Sequence, residues 1–123
     1  ILYIEDNISN FAVVKYAFAA QGQNITLLAA EQGTLGLDMA RIHQPDLILL
    51  DLHLPDIGGD EVLQRLKTED STREIPVIIL SADATSRRIE RLLAAGATAY
   101  MTKPLDLRKL FNLVDQALER KEQ

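Results

Sequence analysis

Leu47-Ile48-Leu49-Leu50-Asp51 is an apolar run of strand length with no alternation, closed by a carboxylate. A strand with one face in water alternates apolar and polar residues, whereas an unbroken run belongs where helices cover both faces of a parallel sheet. Val77-Ile78-Ile79-Leu80 has the same character and ends in Ser81, so these two strands are expected at the centre. Ile1-Leu2-Tyr3-Ile4 leads into Glu5-Asp6, and Ala97-Thr98-Ala99-Tyr100-Met101-Thr102 leads into Lys103-Pro104. As parallel neighbours, all four runs would open on one edge. An acid cluster, a hydroxyl and an ammonium then converge on one crevice.

Outward from these runs, strand-like and helix-like stretches alternate through the chain, five of each, with no internal repeat, low-complexity segment or long linker. A helix over residues 8–21 places Phe11, Val14 and Phe18 on one face, and Gly22 suits a left-handed turn at its end. A strand is predicted over 25–30. The helix over 33–43 groups Leu37, Ala40 and Arg41, is weakened by Gly33 and Gly36, and stops before Pro45, since the residue preceding a proline is disfavoured in helical geometry. Pro55-Asp56-Ile57-Gly58-Gly59 reads as a turn before a helix over 60–68. A fourth helix covers 85–95 and ends at Gly96. The last starts near Asp106, whose carboxylate suits its free amides, and carries Leu107, Leu110, Phe111, Val114 and Leu118 at helical spacing. The expected fold class is α/β: a doubly wound, five-stranded parallel sheet in the order 2-1-3-4-5, whose switch point sets Glu5, Asp6 and Asp51 side by side.

The 123 residues suit a single domain spanning 1–123, long enough to bury about two-thirds of the surface its unfolded form exposes. A net charge of −5 repels a phosphate backbone on average, which argues against direct nucleic-acid binding. Arg87, Arg88 and Arg91 form the nearest thing to a basic patch, but the solvated face of a helix is the favoured reading of the three. Without cysteine there is no disulfide framework and no thiolate site. No apolar run approaches the ~18 residues of a membrane span, and the N-terminus lacks signal-peptide flanks, so a cytoplasmic protein is expected. The chain opens at Ile1 inside a strand without an initiator Met, as an excised domain or a chain lacking its first residues would.

Three carboxylates within a few ångströms raise one another's pKa unless a cation sits among them. Carboxylates, a backbone carbonyl and waters make the all-oxygen shell Mg²⁺ prefers, and His53 could supply the carbonyl. Asp51 closes the most hydrophobic strand, where a carboxylate can act as a covalent nucleophile toward phosphorus, and is the expected phosphoacceptor. A transferring phosphoryl group spreads charge over three oxygens, so catalysis is mainly positioning and neutralisation. Mg²⁺ on Glu5, Asp6 and Asp51 would take one oxygen, Lys103 a second, and the Ser81 hydroxyl with a nearby backbone amide, that of Ala82, the third. Taken singly, each residue also has an ordinary reading: hydrated acids, a turn-capping serine, a surface lysine. Their order at successive strand ends favours the joint one.

The acidic pair Glu5-Asp6, Asp51 followed by Leu52-His53-Leu54-Pro55 and Gly58-Gly59, then Ser81-Ala82, Tyr100 and Lys103-Pro104, together resemble the receiver domain of bacterial two-component response regulators, chemotaxis-regulator-like and flavodoxin-like in fold, over essentially the whole chain. The resemblance implies a signalling phosphoacceptor rather than an enzyme on other substrates. It implies a histidine kinase or histidine phosphotransfer protein as donor to Asp51, Mg²⁺ as cofactor, and His53 as carbonyl ligand. It further implies a switch coupling Ser81 to Tyr100 that alters the surface of helix four, strand five and helix five, toward an output domain or partner protein, with a homodimer through helices four and five as one arrangement. It makes the Lys103–Pro104 bond cis, aiming the ammonium into the site. For Tyr100 the alternative is a packed core aromatic. Asn7 and Asn10 lie where the family's helical donors dock, and equally suit helix capping.

Ser81 in place of the frequent Thr, His53 in place of an apolar residue, and Asp83 two residues past Ser81 depart from the commonest pattern without removing a required group. Asp83 and His53 are expected to border the phosphoryl group and tune its lifetime. Two rivals are a phosphohydrolase of the haloacid dehalogenase superfamily, which needs an acid where His53 stands, and a receiver-like module that signals without accepting phosphate.

Overall fold

The computed structural model describes residues 1–22, 25–83 and 85–122. The elements are β1 Leu2–Ile4, α1 Ile8–Ala20, β2 Leu28–Ala30, α2 Gly33–His43, β3 Ile48–Asp51, α3 Gly59–Thr68, β4 Val77–Ser81, α4 Ser86–Ala94, β5 Ala99–Thr102 and α5 Leu107–Glu122. The strands form one parallel sheet in the order β2-β1-β3-β4-β5, as the patterning predicts.

The unbroken apolar runs have a direct structural cause. Successive strand residues face opposite sides of the sheet, and both sides are covered. Leu2, Ile4, Ile48, Leu50, Val77 and Ile79 pack with Leu37 and Ala40 of α2, Val62, Leu63 and Leu66 of α3, and Leu92 of α4. Tyr3, Leu49, Ile78, Leu80 and Met101 face the other way, against Val14 and Phe18 of α1 and Leu110, Val114 and Ala117 of α5. Each fully buried Leu or Ile contributes about 1.5–3 kcal/mol relative to exposure, so the two layers fix which strand ends lie together.

Two strands are shorter than the sequence runs by two residues or more. Edge strand β2 begins at Leu28 because its pairing partner β1 begins at Leu2, the two residues being in register. β5 begins at Ala99 rather than Ala97. Helix ends follow their caps. Asn7 caps α1 by accepting the Asn10 N–H at 3.1 Å, and Asp106 Oδ1 accepts the N–H groups of Arg108 and Lys109 at the start of α5. Gly22 takes the left-handed turn after α1 with φ +69°.

Helix α2 corrects the sequence reading in two respects. Its glycines permit close packing rather than merely weakening it: a β-carbon on Gly36 would lie 2.5 Å from Ile4 Cδ1, and one on Gly33 2.6 Å from Ile57 Cγ1. Its cap comes from outside the helix. Asp56, within the segment read as a turn, accepts the Gly33 and Thr34 N–H groups at 2.8 and 2.9 Å and the Thr34 hydroxyl at 2.7 Å, which holds its carboxyl well below the usual range. The β3–α3 connection is thereby tied to α2 beside the crevice. Of the group Leu37, Ala40 and Arg41, the first two are buried, while Arg41 is exposed and pairs with Asp38 and Glu69. Among the described residues, no helix is long and apolar enough to cross a membrane.

Candidate functional site

Register brings the acids together. β1 and β3 are neighbours with Ile4 opposite Leu50, so Glu5 and Asp51, each the next residue along, share one level at the carboxyl edge. Both are 3% exposed, while Asp6 is exposed. One oxygen from each of the three carboxylates lies within 4.8 Å of the others, making the trio a candidate divalent-cation site.

Lys103 reaches the same point from the end of β5. Its Nζ lies 2.7 Å from Asp51 Oδ2 and 3.4 Å from Glu5 Oε2. The Lys103–Pro104 peptide is cis. The backbone N–H of Lys103 donates to the Ser81 carbonyl at 2.8 Å, fastening β5 to the end of β4. Asp51 Oδ1 accepts the His53 N–H at 2.9 Å, so each oxygen of the Asp51 carboxylate has its own donor.

The electrostatics divide the acids, where the sequence argument raises them all. Burial, the hydrogen bond with Asp51 and its like charge push the Glu5 carboxyl up to about 7, against the opposing pull of Lys103 and Asn10. Asp51 is lowered: burial opposes ionisation, but hydrogen bonds from Glu5, Lys103 and the His53 amide outweigh it. In the metal-free protein a proton held by the pair below about pH 7 is therefore on Glu5, and the negative charge on Asp51 faces the ammonium. Lys103 is raised in turn, because its pairing with Asp51 overcomes the penalty of burial.

Ser81 is fully buried, and its Oγ accepts the Asp83 N–H at 3.1 Å. The half-buried Tyr100 packs against the sheet and donates its hydroxyl to the Asp83 carbonyl. The core-aromatic reading of Tyr100 thus describes its packing, and its hydroxyl meets the residue whose N–H Ser81 accepts. Ala82 and His53 are exposed beside the crevice. Asn7 and Asn10 divide their work: Asn7 caps α1, while Asn10 Nδ2 donates to Glu5 Oε1 at 3.3 Å. In the sequence Tyr3 reads only as part of an apolar strand, yet its hydroxyl lies 3.4 Å from Glu5 Oε2. The signal was available, since a phenol inside a fully buried strand requires a polar partner.

The profile of the response regulator receiver domain matches residues 1–115. The chain belongs to the response regulator receiver family. It is 35% identical over 118 residues to the polar-differentiation response regulator DivK of Brucella anthropi, covering 96% of this chain and 94% of that one. Among solved structures, the receiver domain of a Francisella response regulator, 1452, superposes with a TM-score of 0.88 at 27% identity, covering 98% of this chain and 96% of the other. The receiver domain of the sensor histidine kinase PA1611 from Pseudomonas aeruginosa does so with a TM-score of 0.84 at 25% identity over 96% and 95%, and holds a magnesium ion in its active-site cleft. Receiver domains are signalling proteins whose general function is to accept a phosphoryl group, and they interact with histidine kinases and with output or partner proteins. The dehalogenase-type reading falls with this assignment.

Proposed function

We propose that residues 1–123 form a phosphoacceptor unit in which Asp51 takes a phosphoryl group from a phosphohistidine donor, a histidine kinase or a histidine phosphotransfer protein. A new P–O bond forms to Asp51 as the P–N bond to the donor imidazole breaks and that imidazole takes up a proton. The observation that carries this is the 2.7 Å contact of Lys103 Nζ with a buried Asp51 carboxylate whose other oxygen is held by the His53 amide. It supports a nucleophile kept ionised, oriented and backed by a cation.

Lys103 would neutralise one phosphoryl oxygen, and the Ser81 hydroxyl with the Ala82 amide would hold another. Glu5, Asp6 and Asp51, with the His53 carbonyl, would hold Mg²⁺. Three converging carboxylates and a Glu5 pKa raised partly by uncompensated like charge fit such an ion. When bound, it would supply charge neutralisation at the transferring group. A groove of about 490 Å³ lined by Asn10, Val13, Lys103, Pro104, Leu105 and Leu107 opens alongside, flanked by the exposed Val13 and Tyr16 of α1, and suits the apolar face of a donor helix. Ser81 and Tyr100, both bonded to Asp83, would pass the change to the α4–β5–α5 surface, read by an output domain, a partner protein or a second copy. With no direct contact to nucleic acid, the chain acts in the cytoplasm and catalyses only its own phosphorylation and slow dephosphorylation.

Acetyl phosphate with Mg²⁺ tests the reading. The intact chain should gain the mass of one phosphoryl group, located to Asp51 by peptide mapping, and should gain none in EDTA. A chain that stays unmodified at saturating acetyl phosphate and Mg²⁺ would be a receiver-like module that signals without phosphate.

The Glu5 proton gives a second expectation. A carboxyl raised from about 4.5 to about 7 contributes stability that is fully present below the unfolded value and lost as pH rises through 7. The metal-free protein should therefore melt at a lower temperature at pH 7.5 than at pH 5, and saturating Mg²⁺ should cancel most of the difference. Mg²⁺ affinity should rise with pH between 6 and 7.5, with proton release measurable by calorimetry in buffers of different ionisation enthalpy. An affinity independent of pH would place the ion elsewhere.

A further inference from the structure

Asp83 gathers three bonds just past the end of β4. Its N–H donates to Ser81 Oγ at 3.1 Å, its carbonyl accepts the Tyr100 hydroxyl, and its Oδ1 accepts the Thr85 N–H at 3.0 Å. Its second carboxylate oxygen, Oδ2, lies 3.8 Å from Nε of Arg88.

Arg88 is not the solvated helix charge its sequence position suggests. Its side chain is 28% exposed, and one Nη donates to Asp60 Oδ1 at 2.8 Å, joining α4 to the start of α3. Its Nε is buried and, among the described residues, is the only buried side-chain nitrogen or oxygen without a hydrogen-bond partner. At 3.8 Å the Asp83 carboxylate attracts it but is too distant to accept its hydrogen. A buried donor left unmade is disfavoured, and a shift of about 1 Å would complete the bond.

We propose that Arg88 is a positioning residue that closes onto Asp83 when Asp51 is phosphorylated. The proposal rests on the reading of Asp51 as the acceptor. In the resting protein Ser81 Oγ serves as acceptor for the Asp83 N–H; turning the hydroxyl toward a phosphoryl oxygen releases that amide and loosens the residue whose carboxylate faces Arg88. The guanidinium is already held at its other end by Asp60, so closing the second bond ties the switch to α3 as well as to α4. The guanidinium offers a separate nitrogen to each carboxylate, Nη to Asp60 and Nε to Asp83, where a lysine would have to serve both from one Nζ, which gives Arg rather than Lys its place here.

The test follows the Arg88 Nε–H resonance of the full chain by ¹⁵N NMR, before and after acetyl phosphate and Mg²⁺, with a mass spectrum of the same sample. On phosphorylation this proton should move downfield and exchange with water at least about tenfold more slowly, the ratio that about 1.4 kcal/mol of protection confers. Asp83→Asn should abolish the slowing, and Arg88→Lys should reduce the phosphorylation-induced shift of the Tyr100 ring by half or more. An added phosphoryl mass with an unmoved Nε–H, or slowing that survives Asp83→Asn, overturns the Arg88 role and leaves Asp51 as acceptor. No added mass overturns both.

Discussion

Asp51→Asn is expected to gain no phosphoryl group from acetyl phosphate, a fall of at least about a thousandfold to background, while still folding cooperatively. The amide keeps the shape of the carboxylate but not its acceptors. Both Asp51 oxygens are in use, one by Lys103 Nζ at 2.7 Å and one by the His53 N–H at 2.9 Å. An asparagine offers one acceptor, so either its NH₂ faces the ammonium or it faces the His53 amide. Against that loss stands a relief: Glu5 no longer meets the like charge that helps raise its carboxyl, so it ionises at lower pH and takes over Lys103, already 3.4 Å away. The opposed effects are each about 1–3 kcal/mol, which is why the fold should survive where the chemistry does not. Incorporation measured by intact mass, beside a thermal melt, checks both halves. Modification persisting in the variant would move the acceptor to another side chain.

The central features were legible because they are local. The runs 47–50 and 77–80 announce covered parallel strands without reference to anything else in the chain, and a parallel sheet can deliver Glu5, Asp51 and Lys103 only to its carboxyl edge. Contacts that depend on how two elements approach each other left no periodic trace. Asp56 caps α2 from 22 and 23 residues away, and Arg88 meets Asp60 across 28. Neither spacing belongs to a helix or a strand. The three carboxylates likewise could be placed together from the sequence, but their division into a raised Glu5 and a lowered Asp51 depends on which oxygen the ammonium touches. That is a matter of ångströms.

Gly59→Ala is expected to destabilise the protein by about 3 kcal/mol, lowering the melting temperature by roughly 10 °C, while Gly58→Ala changes it little or raises it slightly. The two glycines are adjacent in sequence and opposite in surroundings. Gly58 precedes α3 with φ −67° and ψ 150°, a conformation any residue adopts, and a β-carbon there meets nothing within 4 Å. On Gly59 the same carbon would lie 2.6 Å from Leu52 Cα and 2.8 Å from the Asp51 carbonyl oxygen. Backbone, unlike the end of a flexible side chain, cannot turn aside. α3 cannot slide away cheaply either, since Val62, Leu63 and Leu66 are fully buried and the Gly59 N–H donates to the Leu52 carbonyl at 3.0 Å. The strain falls on Asp51 and Leu52, at the end of β3 that carries the proposed acceptor carboxylate, so phosphoryl uptake by Gly59→Ala, measured well below its melting temperature, should be slowed along with the loss of stability. Equal melting temperatures for the two variants would mean that α3 does not approach the end of β3 this closely, and the support for Asp51 would then have to come from Lys103 and the His53 amide alone.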